Sequence, residues 1–281
     1  MPIEVFPMVL GAAVVHATWN ALIKSDGDRL ALIKVMSFTQ FVLSLCLVPL
    51  VAFPASASWP YLVASPVLST GYILFLNWAY QVGDLSHVYP FARGIAPLIV
   101  AAVSVGVLDE PLSHVDQIAV ALIALGVTSL ALTRGAAGLR DPRPVLLALG
   151  TGGFVAGYTI VDAIGARSAG TAHGYMVWIS LPTAVVTVAG AHWLRRGTRV
   201  ATEAHSQRMG MVAGIMSYGS SWLVIWALTL APMALVSALR ETGIVFAVII
   251  GVVFLGERLN LVRLASIATT LLGCTLLKLN R

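Results

Sequence analysis

Ten apolar stretches follow one another along the chain, near residues 3–24, 30–53, 60–82, 85–108, 115–133, 144–163, 172–194, 208–231, 234–256 and 261–279. Most are close to the roughly 20 residues that an α-helix needs to cross a hydrocarbon core about 30 Å thick. Only short charged or Pro/Gly-containing breaks separate them, so no segment is left over for a soluble domain. The runs Ala96–Val103 and Ile244–Gly251 are continuously apolar, whereas strands of a membrane barrel would alternate polar and apolar side chains. Charged residues make up 10% of the chain and the mean hydropathy is +0.90, against roughly 25% charged in a soluble domain. The expected architecture is therefore an all-α integral membrane bundle of about ten transmembrane helices. The first stretch follows Met1–Glu4 with no basic run and no small-residue cleavage site, and is expected to be a retained helix instead of a signal peptide. Gly150, Gly152, Gly153 and Gly157 would let helix backbones approach closely. Cys46 and Cys274 both fall inside apolar stretches and read as small buried hydrophobes, not as a disulfide or metal site.

A single spacing aligns the two halves of the chain. Setting Arg93 against Arg240 also pairs Leu108 with Leu255, Glu110 with Glu257, Leu112 with Leu259, Gly126 with Gly273 and Leu132 with Leu279. Upstream, at a different offset and with a much weaker match, Gly11–Trp19 can be laid over Gly150–Tyr158, which puts an aromatic residue at the same depth of the first helix of each half. The boundaries implied are residues 1–134 and 143–281. Each half holds five helices, an odd number, so the second copy enters the bilayer from the opposite side and the halves form an inverted-topology pair.

Of the 17 Lys and Arg, 12 fall at one end of the bundle: Lys24, Arg29, Lys34, Arg134, Arg140, Arg143, Arg195, Arg196, Arg199, Arg208, Arg258 and Arg263. The other end has Arg167, Lys278 and Arg281, while Arg93 and Arg240 lie inside helices. The net charge of +5 thus reads as orientation and not as nucleic-acid binding, and the positive-inside rule puts both termini outside the cytoplasm.

Ala238–Leu259, running Ala-Leu-Arg-Glu-Thr-Gly-Ile-Val-Phe-Ala-Val-Ile-Ile-Gly-Val-Val-Phe-Leu-Gly-Glu-Arg-Leu, closely resembles the ninth helix of EamA-like members of the drug/metabolite transporter superfamily. His16–Lys24 in the first helix and Asp84–Pro97 leading into the fourth are similar to a bacterial subgroup of that family. The resemblance implies a ten-helix bundle around a central cavity, movement of small metabolites or drugs, and residence in the bacterial inner membrane as a multi-pass protein. Two departures stand out. Superfamily members that expel cationic drugs by proton exchange use a glutamate in the first helix, whereas here that helix has no acid beyond Glu4, and His16 is its titratable residue at depth. Ten-helix members are also drawn with cytoplasmic termini, against the charge count.

A charged side chain at membrane depth costs at least about 2.5 kcal/mol on insertion scales, which singles out Arg93 and Arg240. Their planar forks of donors suit a carboxylate or phosphate, favouring an anionic or zwitterionic substrate. The structural alternative pairs Arg93 with Asp84 or Asp162, and Arg240 with Glu241. Glu241 diverges from Arg240 by about 100° around the helix and is a candidate for carrying a coupling proton. His87 is the second coupling candidate. His16 titrates near neutral pH and has Asn20 one turn along on the same face; an interhelical hydrogen bond is its structural alternative. Tyr89 shares a face with Arg93, and Pro90 and Pro97 free backbone carbonyls in the fourth helix, making it the expected wall of the site. Trp19 and Tyr158 could stack on a substrate, although membrane aromatics also mark interfaces or packing. Glu110 and Glu257 sit at helix ends, where capping or gating is expected.

The function expected is secondary transport of a small metabolite or drug-like solute by alternating access. The partners are a small-molecule substrate, the lipid bilayer and, if transport is coupled, a proton; no cofactor or metal is implied. The competing readings are a polytopic membrane enzyme and a non-transporting assembly partner. Ser220–Ser221 has no nucleophile elbow around it and no metal-ligand spacing is present, so neither enzyme chemistry nor a scaffold role has a positive signal.

Overall fold

A computed structural model of the chain describes residues 2, 4–25, 29–82, 85–132, 142–194, 204–255 and 260–280. Eleven long helical segments are described: α1 Val5–Ser25, α2 Arg29–Leu47, α3 Trp59–Val82, α4 Leu85–Gly106, α5 His114–Ser129, α6 Pro142–Ser168, α7 Ala172–Leu194, α8 Ala204–Leu230, α9 Met233–Glu241, α10 Gly243–Leu255 and α11 Leu261–Leu279. They supply ten helices long and apolar enough to cross a membrane, with α9 and α10 together forming the ninth. No strand occurs among the described residues. Helices are what lipid demands, because each backbone polar group must then be satisfied within its own segment.

The ninth stretch, expected as one helix over 234–256, is interrupted at Thr242. The Thr242 amide donates to the Leu239 carbonyl at 3.2 Å, and its hydroxyl donates to the same oxygen at 2.6 Å. This tight turn ends α9 one residue before Gly243 starts α10. Gly243 also lets α10 come close to α1, since a Cβ there would stand 3.1 Å from the Ala13 carbonyl. Pro90 and Pro97, by contrast, both lie inside the continuous α4.

Helix contacts recur in pairs. α1 packs on α8 as α3 packs on α6; α4 packs on α6 as α1 packs on α9 and α10; α2 meets α7, and α5 meets α11. The last pair is antiparallel and closely apposed. A Cβ on Gly126 would meet the Thr270 amide at 2.8 Å and the Ser266 carbonyl at 2.9 Å, while one on Gly273 would meet the Ala119 carbonyl at 2.8 Å and the Ile123 amide at 3.0 Å. The two glycines that the sequence spacing pairs thus make the same approach from opposite sides of one interface.

The two ends of the bundle differ. At the end holding the α2–α3, α4–α5, α6–α7 and α8–α9 connections, the chain is cross-bonded. The Ala55 amide donates to the Ala169 carbonyl at 3.1 Å, and Asn280 donates to Ser113 and Asp116 at 2.7 and 3.1 Å. Much of the largest apolar core also lies here, with Val5, Val9, Ala166, Tyr175, Met176, Leu228 and Met233–Leu239 all buried. Towards the end that bears most of the basic residues, the described core shrinks to a cluster of Ala79, Val88, Ala92 and Ala148. Val63, Val67, Ile118, Leu125 and Val253 are exposed on the outside of the bundle, a surface suited to lipid and not to water.

Candidate functional site

Arg93 sits mid-way along α4, and Gly94 behind it lets α4 lie against α5, since a Cβ there would meet the Thr128 amide at 2.8 Å. The guanidinium therefore points away from α5, and only 6% of its side chain is exposed. Its Nε lies 2.8 Å from Glu241 Oε2 in the last turn of α9, itself 5% exposed. A carboxylate is disfavoured at a helix C-terminus, so Arg93 supplies from a different helix the compensation that Glu241 lacks on its own. Arg93 Nη2 also lies 3.4 Å from His16 Nε2 on α1. A guanidinium only donates, which makes His16 Nε2 the acceptor in this contact. The Tyr89 ring, one turn before Arg93, has the guanidinium carbon 5.9 Å from its centroid, within range of cation–π attraction. His16 stacks edge-on against Trp19 at 4.8 Å, and Asn20 donates to the His16 carbonyl at 2.8 Å.

The structural pairings expected for the arginines are thereby corrected. Arg93 pairs not with Asp162 but with Glu241, the acid expected to pair with Arg240, across the interface of α4 and α9. Asp84, the other expected partner, lies outside the described residues. Arg240, adjacent to Glu241 but rotated about 100° around α9, makes no direct ion pair with a described acid, although its charge acts on Glu241, Asp162 and His16.

These side chains line one cavity of about 1040 Å³. His16, Trp19, Asn20, Tyr89, Arg93, Tyr158, Arg240 and Glu241 all border it, so the residues singled out in the sequence from α1, α4, α6 and α9 converge. The side chain of His87 lies outside the described residues. The lining extends to Asn260 and Arg263 at the start of α11, on the basic end. Towards the opposite end it stops against buried Met176 and Leu228.

Sequence reasoning missed several lining residues. Asp162 on α6 was considered only as a partner for Arg93, yet it borders the cavity with its Oδ1 accepting from the Tyr175 hydroxyl of α7 at 3.1 Å. Ser65 of α3 hydrogen-bonds the same carboxyl group. Gly165, one turn further along α6, leaves the space that the Tyr175 ring occupies. Tyr72 of α3 faces Tyr158 with ring centroids 6.3 Å apart. An acid within an apolar stretch carries the same insertion cost that drew attention to the arginines, so Asp162 was findable; Tyr72 had no such signal.

At the closed end, Glu110 of the α4–α5 connection joins four elements. One carboxylate oxygen lies 2.8 Å from Arg167 Nη2 at the end of α6, while the other accepts from the Met233 amide at the start of α9 at 3.1 Å and from Ser104 of α4. Arg167 in turn donates to the Leu228 and Ala231 carbonyls at 2.8 and 2.9 Å, satisfying the end of α8. A helix N-terminus favours the carboxylate and a C-terminus favours the guanidinium.

Residues 142–279, which contain α6 to α11 and half the cavity wall, match the EamA-like transporter family. Through this half, the chain belongs to the EamA-like transporter family. That family lies within the drug/metabolite transporters and is one of transporters, not enzymes. A crystal structure described only as that of a protein superposes on the EamA-like chain with a TM-score of 0.77. It does so at 16% identity, covering 99% of this chain and 96% of the other, a likeness that shows the fold alone. Among curated proteins none matches. The EamA-like chain is thus a multi-pass membrane transporter of the drug/metabolite type, whose partners are a small-molecule substrate and the lipid bilayer.

Proposed function

We propose that this EamA-like protein moves a small polar metabolite across the bacterial inner membrane by alternating access. The observation that carries the reading is the cavity itself: about 1040 Å³, lined by Arg93, Arg240, Glu241 and Asp162 at membrane depth, reaching towards the basic end and blocked at the other. The antiparallel pairing of α5 with α11, and the paired helix contacts, support two inverted repeats, 1–134 and 143–281. Such repeats can exchange conformations about a fixed central site. The interruption at Thr242, beside Arg240 and Glu241, is the kind of broken helix that places polar groups at a midplane site. The charge count would put the basic end, and so the open mouth, in the cytoplasm.

In this reading Arg93, Arg240, His16, Asn20, Tyr89, Trp19 and Tyr158 contact substrate, while Glu241 and His87 serve coupling. Glu241 suits that role mechanically: a proton on its carboxylate would remove the charge that Arg93 is paired with and free the guanidinium for the substrate. The test is efflux from proteoliposomes loaded with an isotopically labelled extract of bacterial polar metabolites, with and without an imposed pH gradient. Selective loss of some metabolites, abolished by Arg93→Gln, is expected; uniform retention of the whole extract would sink the transporter reading. Acceleration by the gradient that survives in Glu241→Gln would sink the coupling role.

A further inference from the structure

We infer that Tyr175 is a positioning residue for transport: its hydroxyl ties the state of Asp162, in the cavity wall, to the latch that Glu110 and Arg167 form at the closed end. This rests on the alternating-access reading only for what opening of that end is for. Tyr175 lies in the first turn of α7, is fully buried and does not border the cavity. It therefore meets no solute itself. Its hydroxyl donates to Asp162 Oδ1 at 3.1 Å, and Asp162 is its one hydrogen-bond acceptor among the described residues. Three elements face that carboxylate. Tyr175 reaches it from α7, Ser65 hydrogen-bonds it from α3, and Arg240 of α9 acts on it by charge without a direct ion pair.

The end of α6 carries the link. Asp162 borders the cavity. Gly165 makes room for the Tyr175 ring, since a Cβ there would stand 2.5 Å from its hydroxyl oxygen. Arg167, five residues beyond Asp162 and so about 7.5 Å along the axis, holds Glu110 and the Leu228 and Ala231 carbonyls. The Ala169 carbonyl accepts from Ala55. Cavity wall, tyrosine slot and latch thus lie on two turns of one helix, too short and too well packed to deform piecemeal. While Asp162 is an anion, the Tyr175 hydroxyl has a charged acceptor and cross-ties α6 to α7. Positive charge brought to Asp162 from the cavity, as a proton or as part of a solute, competes for the same carboxylate. A buried hydroxyl is then left with a weaker acceptor, and the tie loosens where α6 enters the latch. Occupancy of the cavity thereby biases the opposite end through an element that both share.

The test reads opening of the closed end in the detergent-purified full chain, with Cys46 and Cys274 replaced, by the rate at which Ser237→Cys reacts with a membrane-impermeant maleimide. Ser237 on α9 is buried and outside the cavity lining. Tyr175→Phe keeps the ring in its slot and removes only the hydroxyl; it should raise the rate about tenfold, the worth of one hydrogen bond to a charged group. Asp162→Asn makes the acceptor neutral and should raise the rate about fivefold while the hydroxyl is present. In Tyr175→Phe it should add nothing, because both changes act on one bond. A tyrosine that only packs would give independent effects that multiply. Ser266→Cys, buried between α5 and α11, reports general loosening and should keep its rate in every variant. An unchanged Ser237→Cys rate in Tyr175→Phe would overturn the inference, and this variant decides the matter even if Asp162→Asn does not fold. An equal effect of Asp162→Asn with and without the hydroxyl, or parallel rises at the two cysteines, would overturn it as well. Efflux from proteoliposomes separates the two readings. Uniform retention of the extract by the wild-type protein would sink alternating access and leave the Tyr175 link to be read by labelling, whereas selective efflux with multiplying effects would keep the transporter and sink the link.

Discussion

Neutralising Glu110 should open the closed end of the bundle. In the structure its carboxylate accepts from the Met233 amide and Ser104 and pairs with Arg167. Two hydrogen bonds to a charged group contribute about 1.5 kcal/mol each. The ion pair is partly exposed, with Arg167 33% and Glu110 14% accessible, so its own contribution is about 0.5 kcal/mol. Glu110→Gln keeps a neutral acceptor and so loses only part of the roughly 3.5 kcal/mol total, about 2 kcal/mol, or a factor of about 30 in the closed-to-open ratio. Ser237, one turn below Met233 on α9, is 5% exposed and outside the cavity lining, and a cysteine there is nearly isosteric. In a background with Cys46 and Cys274 replaced, the labelling rate of Ser237→Cys by a membrane-impermeant maleimide reads opening at this end. Glu110→Gln should raise that rate about 30-fold, and Arg167→Gln should do the same without adding to it, because both break one network. An unchanged rate in Glu110→Gln, with the protein still folded, would refute the view that this cluster holds the end shut.

Other outcomes follow from the same contacts. Arg93→Gln or Glu241→Gln alone leaves a buried charge unpaired and should lower stability by about 3–5 kcal/mol, while the double substitution should recover most of it, as read by melting temperature in detergent. Arg240→Gln, which breaks no described bond, should leave the melting temperature unchanged or raise it. Gly126→Ala and Gly273→Ala, whose new Cβ atoms would lie 2.8 Å from backbone atoms across the α5–α11 interface, should each destabilise the protein. Gly11→Ala and Gly153→Ala, with nothing within 4 Å of the added atom, should be neutral or mildly stabilising; equal melting temperatures across all four would argue against that interface.

The ten crossings could be read in the sequence because the bilayer imposes a local rule: about 20 apolar residues, wherever they occur, suffice to span it. The spacing that pairs Gly126 with Gly273 was legible for a related reason, since close helix approach demands a residue without a side chain and leaves that demand in the chain itself. The depth of Arg93 and Arg240 followed from the same local counting, as did the divergence of Arg240 from Glu241 around one helix. Which group answers which was decided only by tertiary packing. Glu241 lies beside Arg240 in the chain, yet it pairs with Arg93 because α9 packs on α4 and turns its carboxylate inward. Asp162 faces the cavity with hydroxyl partners because Ser65 of α3 and Tyr175 of α7 lie against that part of α6. The tight turn at Thr242, within a stretch of uniformly apolar character, and the cluster joining Glu110 to Arg167 likewise depend on contacts between residues far apart in the chain. Hydropathy fixes where each helix enters and leaves the membrane; the partners of its few polar groups depend on which faces meet.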